Sequence, residues 1–402
     1  MMTKQILSPS HHRLTAPMTL SLYIHWPFCL SKCPYCDFNS HVNRDMDEQR
    51  FISALITEMK SAAQRFDCPA HLVSIFFGGG TPSLMPPEGV ARLIDVAQRL
   101  FAFDDTIEIT MEANPTTFER SRFQAFYDAG IRRLSLGVQS FSDDHLAFLG
   151  RGHSAAEAKN ALAQARDIFP RMSFDLMYGL RDQTCTMWRH ELRQAWDFAP
   201  THVSCYQLTF EPGTAFYPRY VRGELTYPEE AIEVAFDEET ETFWHQKGVN
   251  RYEVSNYACP GEESRHNLAY WRFQPTLGIG PGSHGRPHYK QGRYREVTYR
   301  HPQTWLEAVE KHGHGTEIST PLSCEEYDLE KLMMGLRLIE GIKIKEFHHD
   351  LSDEKIQTLE QHGLILLTKD ALKVTSQGRL CLNSVIRFLT HGVQKERHAF
   401  IE

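Results

Sequence analysis

Along the chain, short runs rich in β-branched and aromatic apolar residues alternate with longer stretches in which apolar and polar positions interleave at helical spacing. The short runs are LSLYIHW (20–26), VSIFFGG (73–79), TIEITMEANP (106–115), RLSLGVQS (133–140), MSFDLMYG (172–179) and HVSCYQLT (202–209). They read as strands. Between them lie amphipathic stretches such as DEQRFISALITEMKSAAQRF (47–66), TTFERSRFQAFYDAG (116–130) and AAEAKNALAQARDIF (155–169), which read as helices. Strand followed by helix, repeated along the chain, predicts parallel strands joined by helical crossovers. Six such units fall short of the closed eight-strand barrel, so the α/β class narrows to a partial, open (β/α)6 barrel over residues 19–250.

The rhythm breaks after EPGTAFYPRYVRGELTYPEE. A long helical stretch, EEAIEVAFDEETETFWHQKG (229–248), leads into RYEVSNYACPG and the aromatic, glycine-rich RHNLAYWRFQPTLGIGPGSHG. Residues 251–300 are therefore expected to form a connecting region. Beyond residue 300 the pattern is helical, then LILLTKDALKVTSQGRLCLNSVIRFL (364–389) reads as strand, turn, strand and helix. This predicts a small helical, winged-helix-like domain over 301–402. Residues 1–18 mix His, Pro, Ser and Thr without apolar periodicity and read as a loose tail.

Composition excludes several classes. At 402 residues the chain can build one large core and a smaller companion. An apolar content of 41%, a charged content of 23% and a formal charge of -8 are ordinary for a globular protein and argue against one that coats nucleic acid. The basic residues of the winged end, Lys369, Lys373, Arg379 and Arg387, are few and interrupted, so a packing or docking module is favoured over DNA binding. No secretory signal or membrane span is expected. Nine cysteines are an odd number for a disulfide scaffold, and six of them, Cys68, Cys185, Cys205, Cys259, Cys324 and Cys381, are scattered singly. A reducing, cytoplasmic setting fits that usage.

The other three cysteines carry the chemistry. Cys29, Cys33 and Cys36 form a C-x3-C-x2-C loop directly after the first strand. Zinc would require a fourth ligand, with His25 or His41 as the nearby imidazoles. A [4Fe–4S] cluster held by three thiolates would instead leave one iron open to an amino and carboxylate chelate from a cofactor. Gly78-Gly79-Gly80-Thr81-Pro82 follows the second strand, where backbone donors could approach such a ligand. Glu112 in MEANP, Gln139 in GVQSF, Arg151 in LGRGH and Asp175 in FDLMYGL then stand at or just past successive strand ends. Parallel α/β folds bind ligands at that end.

The cysteine spacing after a first strand resembles that of the radical S-adenosylmethionine (SAM) superfamily. In that family the open iron binds SAM, and one-electron reduction cleaves it to a 5′-deoxyadenosyl radical. The set YIHWPFC, CPYCDF, FFGGGTPSL, MEANP, LSLGVQSF, LGRGH, DLMYGL and YQLT is further similar to the oxygen-independent coproporphyrinogen III dehydrogenase branch. By position, this resemblance implies SAM contacts at Tyr23, Tyr35, Gly79, Gly80, Thr81, Glu112, Gln139, Arg151 and Asp175. Two departures stand out. Phe38 occupies the position where the dehydrogenases carry a further cysteine, and only a short polar tail precedes the first strand.

Both departures point toward the haem-chaperone relatives of the branch. So does His266-Asn267-Leu268-Ala269-Tyr270-Trp271, an HNxxYW motif associated with haem binding in that group. Physically, an imidazole can ligate haem iron, and aromatic rings can pack on a porphyrin. The residue types alone also allow a core histidine beside ordinary aromatic packing, and Cys259, His284 and His288 are further ligand candidates. Catalytic residues are not assigned. The resemblance implies a [4Fe–4S] cluster, SAM and haem as cofactors, haem-acceptor proteins such as membrane respiratory enzymes as partners, and an electron donor if SAM is cleaved. The dehydrogenase itself, decarboxylating porphyrinogen propionates by a radical route, is the enzymatic alternative.

Overall fold

The computed structural model describes residues 18–43, 47–67, 70–117 and 119–390. Cys68 and all of the expected tail except Met18 lie outside these residues, as do the last twelve residues of the chain. All six sequence-read strands form. They are β1 (Met18–Trp26), β2 (Ala70–Gly79), β3 (Glu108–Ala113), β4 (Arg133–Gln139), β5 (Arg171–Tyr178) and β6 (His202–Gln207). Each pairs in parallel with the next, through register partners such as Tyr23 with Phe76 and Asp175 with Ser204. Helices including Glu48–Ala63, Pro87–Leu100, Arg120–Asp128, Ala155–Ile168 and Cys185–Trp196 return the chain between them. This is the partial (β/α)6 barrel.

The sheet extends beyond six strands. The short strands β7 (Asn250–Arg251) and β8 (Asn256–Ala258) add antiparallel beyond β6, and β9 (Thr276–Ile279) adds in parallel on the other side of β1. The order is β9-β1-β2-β3-β4-β5-β6-β8-β7. The stretch 251–300, expected as a connection, thus supplies strands at both ends of the barrel sheet. It also supplies the helix Arg265–Trp271, which packs on β1 and β2.

One face of the strands is apolar. Leu20, Leu22, Ile24 and Trp26 of β1 join Ile75, Phe77, Met111, Leu134, Phe174 and Val203 in a buried core beneath the helices. The alternate positions face inward and are polar or aromatic, as a period-two strand requires. Ser21 and Ser74 share a hydrogen bond of 3.0 Å across β1 and β2, and Ser173 and Ser135 share one of 3.1 Å across β5 and β4. The barrel lumen is therefore lined with hydroxyls.

The C-terminal part forms a separate small core around Leu332, Leu336, Ile342, Ile365, Leu372 and Val385. Its three-stranded antiparallel sheet, built from Ile342–Lys343, Ile365–Leu367 and Ala371–Val374, packs with the helices Cys324–Gly335, Asp353–Gln361 and Leu382–Thr390. This is the winged-helix-like end.

Candidate functional site

The three cysteines sit at the mouth of the barrel. Cys29 ends a two-residue strand that pairs in parallel with His41–Val42, so the intervening loop is pinned at both ends. Within it Cys36 N–H donates to Cys33 O at 3.1 Å, and the Cys36 thiol lies 3.6 Å from Ser40 Oγ. Burial, followed by the charge of Cys36, pushes the Cys29 thiol up, so the thiols sense one another. Among the described residues no three His, Cys, Asp or Glu side chains are disposed to grip a single metal ion. A cubane, whose iron corners stand apart, does not ask for that convergence.

Of the imidazoles that zinc would need, His25 is engaged at both ring nitrogens and His41 at Nε2. His25 meets the Tyr23 hydroxyl through Nδ1 at 2.9 Å and the Asn39 carbonyl through Nε2 at 2.9 Å, while His41 Nε2 meets Asn39 Oδ1 at 3.0 Å.

The glycine turn at the end of β2 differs from the expectation. Its backbone donors are already committed: Gly79 N–H to Glu112 Oε2 (3.1 Å), Gly80 N–H to Trp26 O (2.7 Å) and Thr81 N–H to Phe28 O (2.8 Å). The last two tie the turn to the entry of the cysteine loop. Gly79 has φ +116°, and a Cβ there would stand 2.6 Å from the His25 ring, so glycine is required by backbone and neighbour alike. A ligand's ammonium would have to be met by carbonyl oxygens and by carboxylates.

Two carboxylates stand ready. Burial and then the charge of Asp175 push Glu112 up to about 8, and burial pushes Asp175 up to about 6. Glu112 accepts from the Gly79 N–H, and Asp175 hydrogen-bonds Ser204. Neither forms a salt bridge among the described residues. Two partly enclosed carboxyls held above their usual range fit a site that receives a cation. The sulfonium and ammonium of SAM are such cations.

Arg151 joins this edge to the cysteines. It donates from Nη1 to Cys33 Sγ at 3.4 Å and from Nη2 to Gly137 O at 2.8 Å and to Asn114 Oδ1, and it hydrogen-bonds Tyr35. Asn114 also donates to Thr81 Oγ1 at 3.2 Å. Gln139, where β4 is irregular, has φ +73°, a strained conformation for a residue with a side chain. Its Nε2 lies 3.0 Å from where a Cβ on Gly137 would be. Tyr23, Tyr35, Gly79, Gly80, Thr81, Glu112, Gln139, Arg151 and Asp175 thus gather around one mouth. Asn114 and Asn39 belong with them and were not read from the sequence, although Asn114 lies inside the MEANP segment, and His25, read only as a possible zinc ligand, joins them through Tyr23 and Asn39.

The HNxxYW residues differ in exposure along their helix. His266 is 8% exposed and bonded to Ser74 Oγ at 2.9 Å, whereas Tyr270 is 47% exposed. Asn267 Nδ2 reaches the Tyr252 hydroxyl at 3.4 Å, and the Tyr270 and Trp271 rings meet edge to face at 5.3 Å. His284 and His288 are exposed and Cys259 is half-buried.

Comparison with known proteins sets these features in a family. The radical SAM superfamily model matches residues 23–193, and that of the HemN C-terminal domain matches residues 322–381. Heme chaperone HemW of Haemophilus influenzae is 39% identical, covering 92% of this chain and 98% of its own. Heme chaperone HemW of Escherichia coli is 36% identical over 91% and 97% of the two chains. A bovine (Bos taurus) protein, radical S-adenosyl methionine domain-containing protein 1, mitochondrial, is 37% identical over 93% and 88%. The solved coproporphyrinogen III oxidase (HemN) of Escherichia coli matches with a TM-score of 0.78 over 93% of this chain and 91% of its own, at 21% identity, which shows a shared fold. Barrel and C-terminal module together define a radical SAM protein of HemN-like architecture. Within that superfamily, the chain belongs to the heme chaperone HemW family. No helix among the described residues is long and apolar enough to cross a membrane.

Proposed function

We propose that this protein is a cytoplasmic haem chaperone that holds a [4Fe–4S] cluster through Cys29, Cys33 and Cys36, binds SAM beside it, binds haem, and passes haem to acceptor proteins such as respiratory enzymes. The observation that carries the reading is the 39% identity to a heme chaperone along 98% of that relative's length. The site's chemistry supports it. When bound, the cluster offers SAM an open iron and a source of one electron. Glu112 and Asp175 meet the cationic part of SAM, Arg151 steadies the Cys33 thiolate and the Tyr35 hydroxyl, and Tyr23 closes the β1 side.

Phe38 favours this reading over the dehydrogenase. It occupies the position of the further cysteine and is 60% exposed, so it offers an apolar surface at the cluster loop. The test is made on anaerobically reconstituted protein. Haem titration followed at the Soret band, then mixing with a haem-free acceptor, should show uptake and transfer. Incubation with dithionite, SAM and coproporphyrinogen III should yield no protoporphyrinogen; its formation would replace the chaperone by the dehydrogenase.

A further inference from the structure

The motif histidine points into the barrel. His266 Nδ1 shares a hydrogen bond with Ser74 Oγ, and its ring stacks on Phe76 with centroids 4.8 Å apart and an interplanar angle of 28°. Phe76 stacks in turn on Tyr23, at 6.2 Å and 23°. A side chain on Gly78 would break this row, since its Cβ would lie 2.8 Å from the Tyr23 ring.

The row continues to the cysteines. The Tyr23 hydroxyl meets His25 Nδ1, and His25 Nε2 meets the carbonyl of Asn39, three residues beyond Cys36. A carbonyl only accepts, so Nε2 carries the proton, Nδ1 is the lone pair and Tyr23 is the donor. Burial holds His25 down at about 4, so this neutral tautomer persists at neutral pH. Asn39 then fixes the loop from outside, donating from Nδ2 to Pro281 O and Arg300 O, each at 2.9 Å.

We infer that His266 is a positioning residue for the cluster loop and for the Tyr23 side of the SAM site, and not the iron ligand of a bound haem. This rests on the proposed SAM and cluster site. Packed rings with defined hydrogen bonds give the motif helix a physical connection to the cysteine loop. An iron ligand needs an accessible lone pair; Nδ1 is bonded to Ser74, and Nε2 belongs to a ring stacked on Phe76 in a residue only 8% exposed, which withholds it from an outside porphyrin. Tyr270 and Trp271, at the far end of the same helix, remain available to an outside ligand.

The experiment uses the full chain with its cluster reconstituted anaerobically, comparing wild type, His266→Ala, His266→Asn and Ser74→Ala. SAM affinity and the electron paramagnetic resonance spectrum of the reduced cluster, before and after SAM, are read alongside haem titration. His266→Ala and Ser74→Ala should each weaken SAM binding by about fivefold, the effect of one buried hydrogen bond, and diminish the SAM-induced spectral change. His266→Asn, whose amide can reach Ser74, should recover much of both. The haem stoichiometry and Soret maximum should stay at wild-type values. Ser74→Ala removes only one hydroxyl, so it answers the question even if His266→Ala fails to fold.

A shifted Soret band and lost haem affinity in His266→Ala, with SAM binding intact, would overturn the inference. So would variants whose SAM response equals that of wild type. A wild-type cluster indifferent to SAM would instead overturn the proposed function, and this inference with it.

Discussion

The charge of Asp175 on β5 raises the carboxyl of Glu112 on β3, with only β4 between their strands. Each is held above its usual range first by burial, Glu112 at about 8 and Asp175 at about 6. A neutral ligand would leave this repulsion in place. A ligand with a sulfonium and an ammonium group removes it, which is why the pair bears on the choice of cofactor.

SAM binding should therefore release a proton near pH 7. Free protein holds a proton on Glu112 below about pH 8, and a bound cation pulls that carboxyl down. Affinity should rise as pH increases from 6 to 8 and then level off. Calorimetry at pH 7 in two buffers of different ionisation heat measures the proton directly. Glu112→Gln should abolish the release and weaken SAM roughly tenfold, as loss of one charge-assisted contact does. A pH-independent affinity in wild type would refute the assignment of Glu112.

Arg151 serves Cys33, Gly137, Asn114 and Tyr35 with one planar guanidinium. Lysine carries the charge but cannot reproduce that fork. Arg151→Lys should retain the fold and lower the SAM affinity by about tenfold or more, with faster loss of iron on gel filtration, because hydrogen bonds to charged groups contribute about 1.5–3 kcal/mol. Iron per chain and the thermal unfolding midpoint, measured together, separate this outcome from a general loss of structure.

Asn39 should matter to the cluster although it contacts no cysteine in the hydrogen bonds described. Its side chain and carbonyl join the loop to Pro281, Arg300, His41 and His25. Asn39→Ala should leave the buried carbonyl of Pro281 without this donor and loosen the loop. Lower iron and sulfide content after reconstitution is expected, with far-ultraviolet circular dichroism unchanged. Full cluster content would show that the loop holds its shape without this tie.

The strands and cysteine loop were legible because local residue types specify them: LSLYIHW, VSIFFGG and HVSCYQ leave little choice but strand. The hydroxyl-lined lumen was also written there, in Ser21, Ser74, Ser135, Ser173 and Ser204 at inward positions, but that face becomes visible only once the strands are curved into a barrel. β9 was not legible. TLGI leads into a glycine-rich turn, and its partner strand β1 lies some 250 residues earlier, so the pairing rests on tertiary contact. The direction of His266 was hidden for the same reason: Ser74 and Glu108, which receive its ring nitrogen and its N–H, belong to distant strands. His348 and His349 are exposed but both anchored on Asp328, at 3.0 and 2.9 Å, a tie that no local pattern announces. Nothing local marks Gln139 for a positive φ.

Glu58 supplies a prediction about stability that reaches the site. From the helix Glu48–Ala63 its carboxyl accepts the N–H groups of Gly280 and Gly315, each at 2.7 Å, and Trp305 Nε1 at 3.0 Å. Gly280 packs so closely on His25 that an added Cβ would stand 2.4 Å from the His25 carbonyl oxygen, so Glu58 braces the segment behind the cluster loop. Glu58→Ala leaves three buried donors unpaired and should cost about 3 kcal/mol or more. Burial, opposed by these bonds, pushes Glu58 up to about 7. The native state then binds one more proton than the unfolded chain between about pH 4.5 and 7, so this group's stabilisation is greatest at low pH and declines as pH rises through that window. Glu58→Gln cannot titrate. Urea unfolding at pH 5 and pH 8 should therefore show a pH-linked loss in wild type that is smaller in the glutamine variant by up to about 3 kcal/mol. Equal losses in the two proteins would mean that Glu58 is ionised throughout, its three donors outweighing burial.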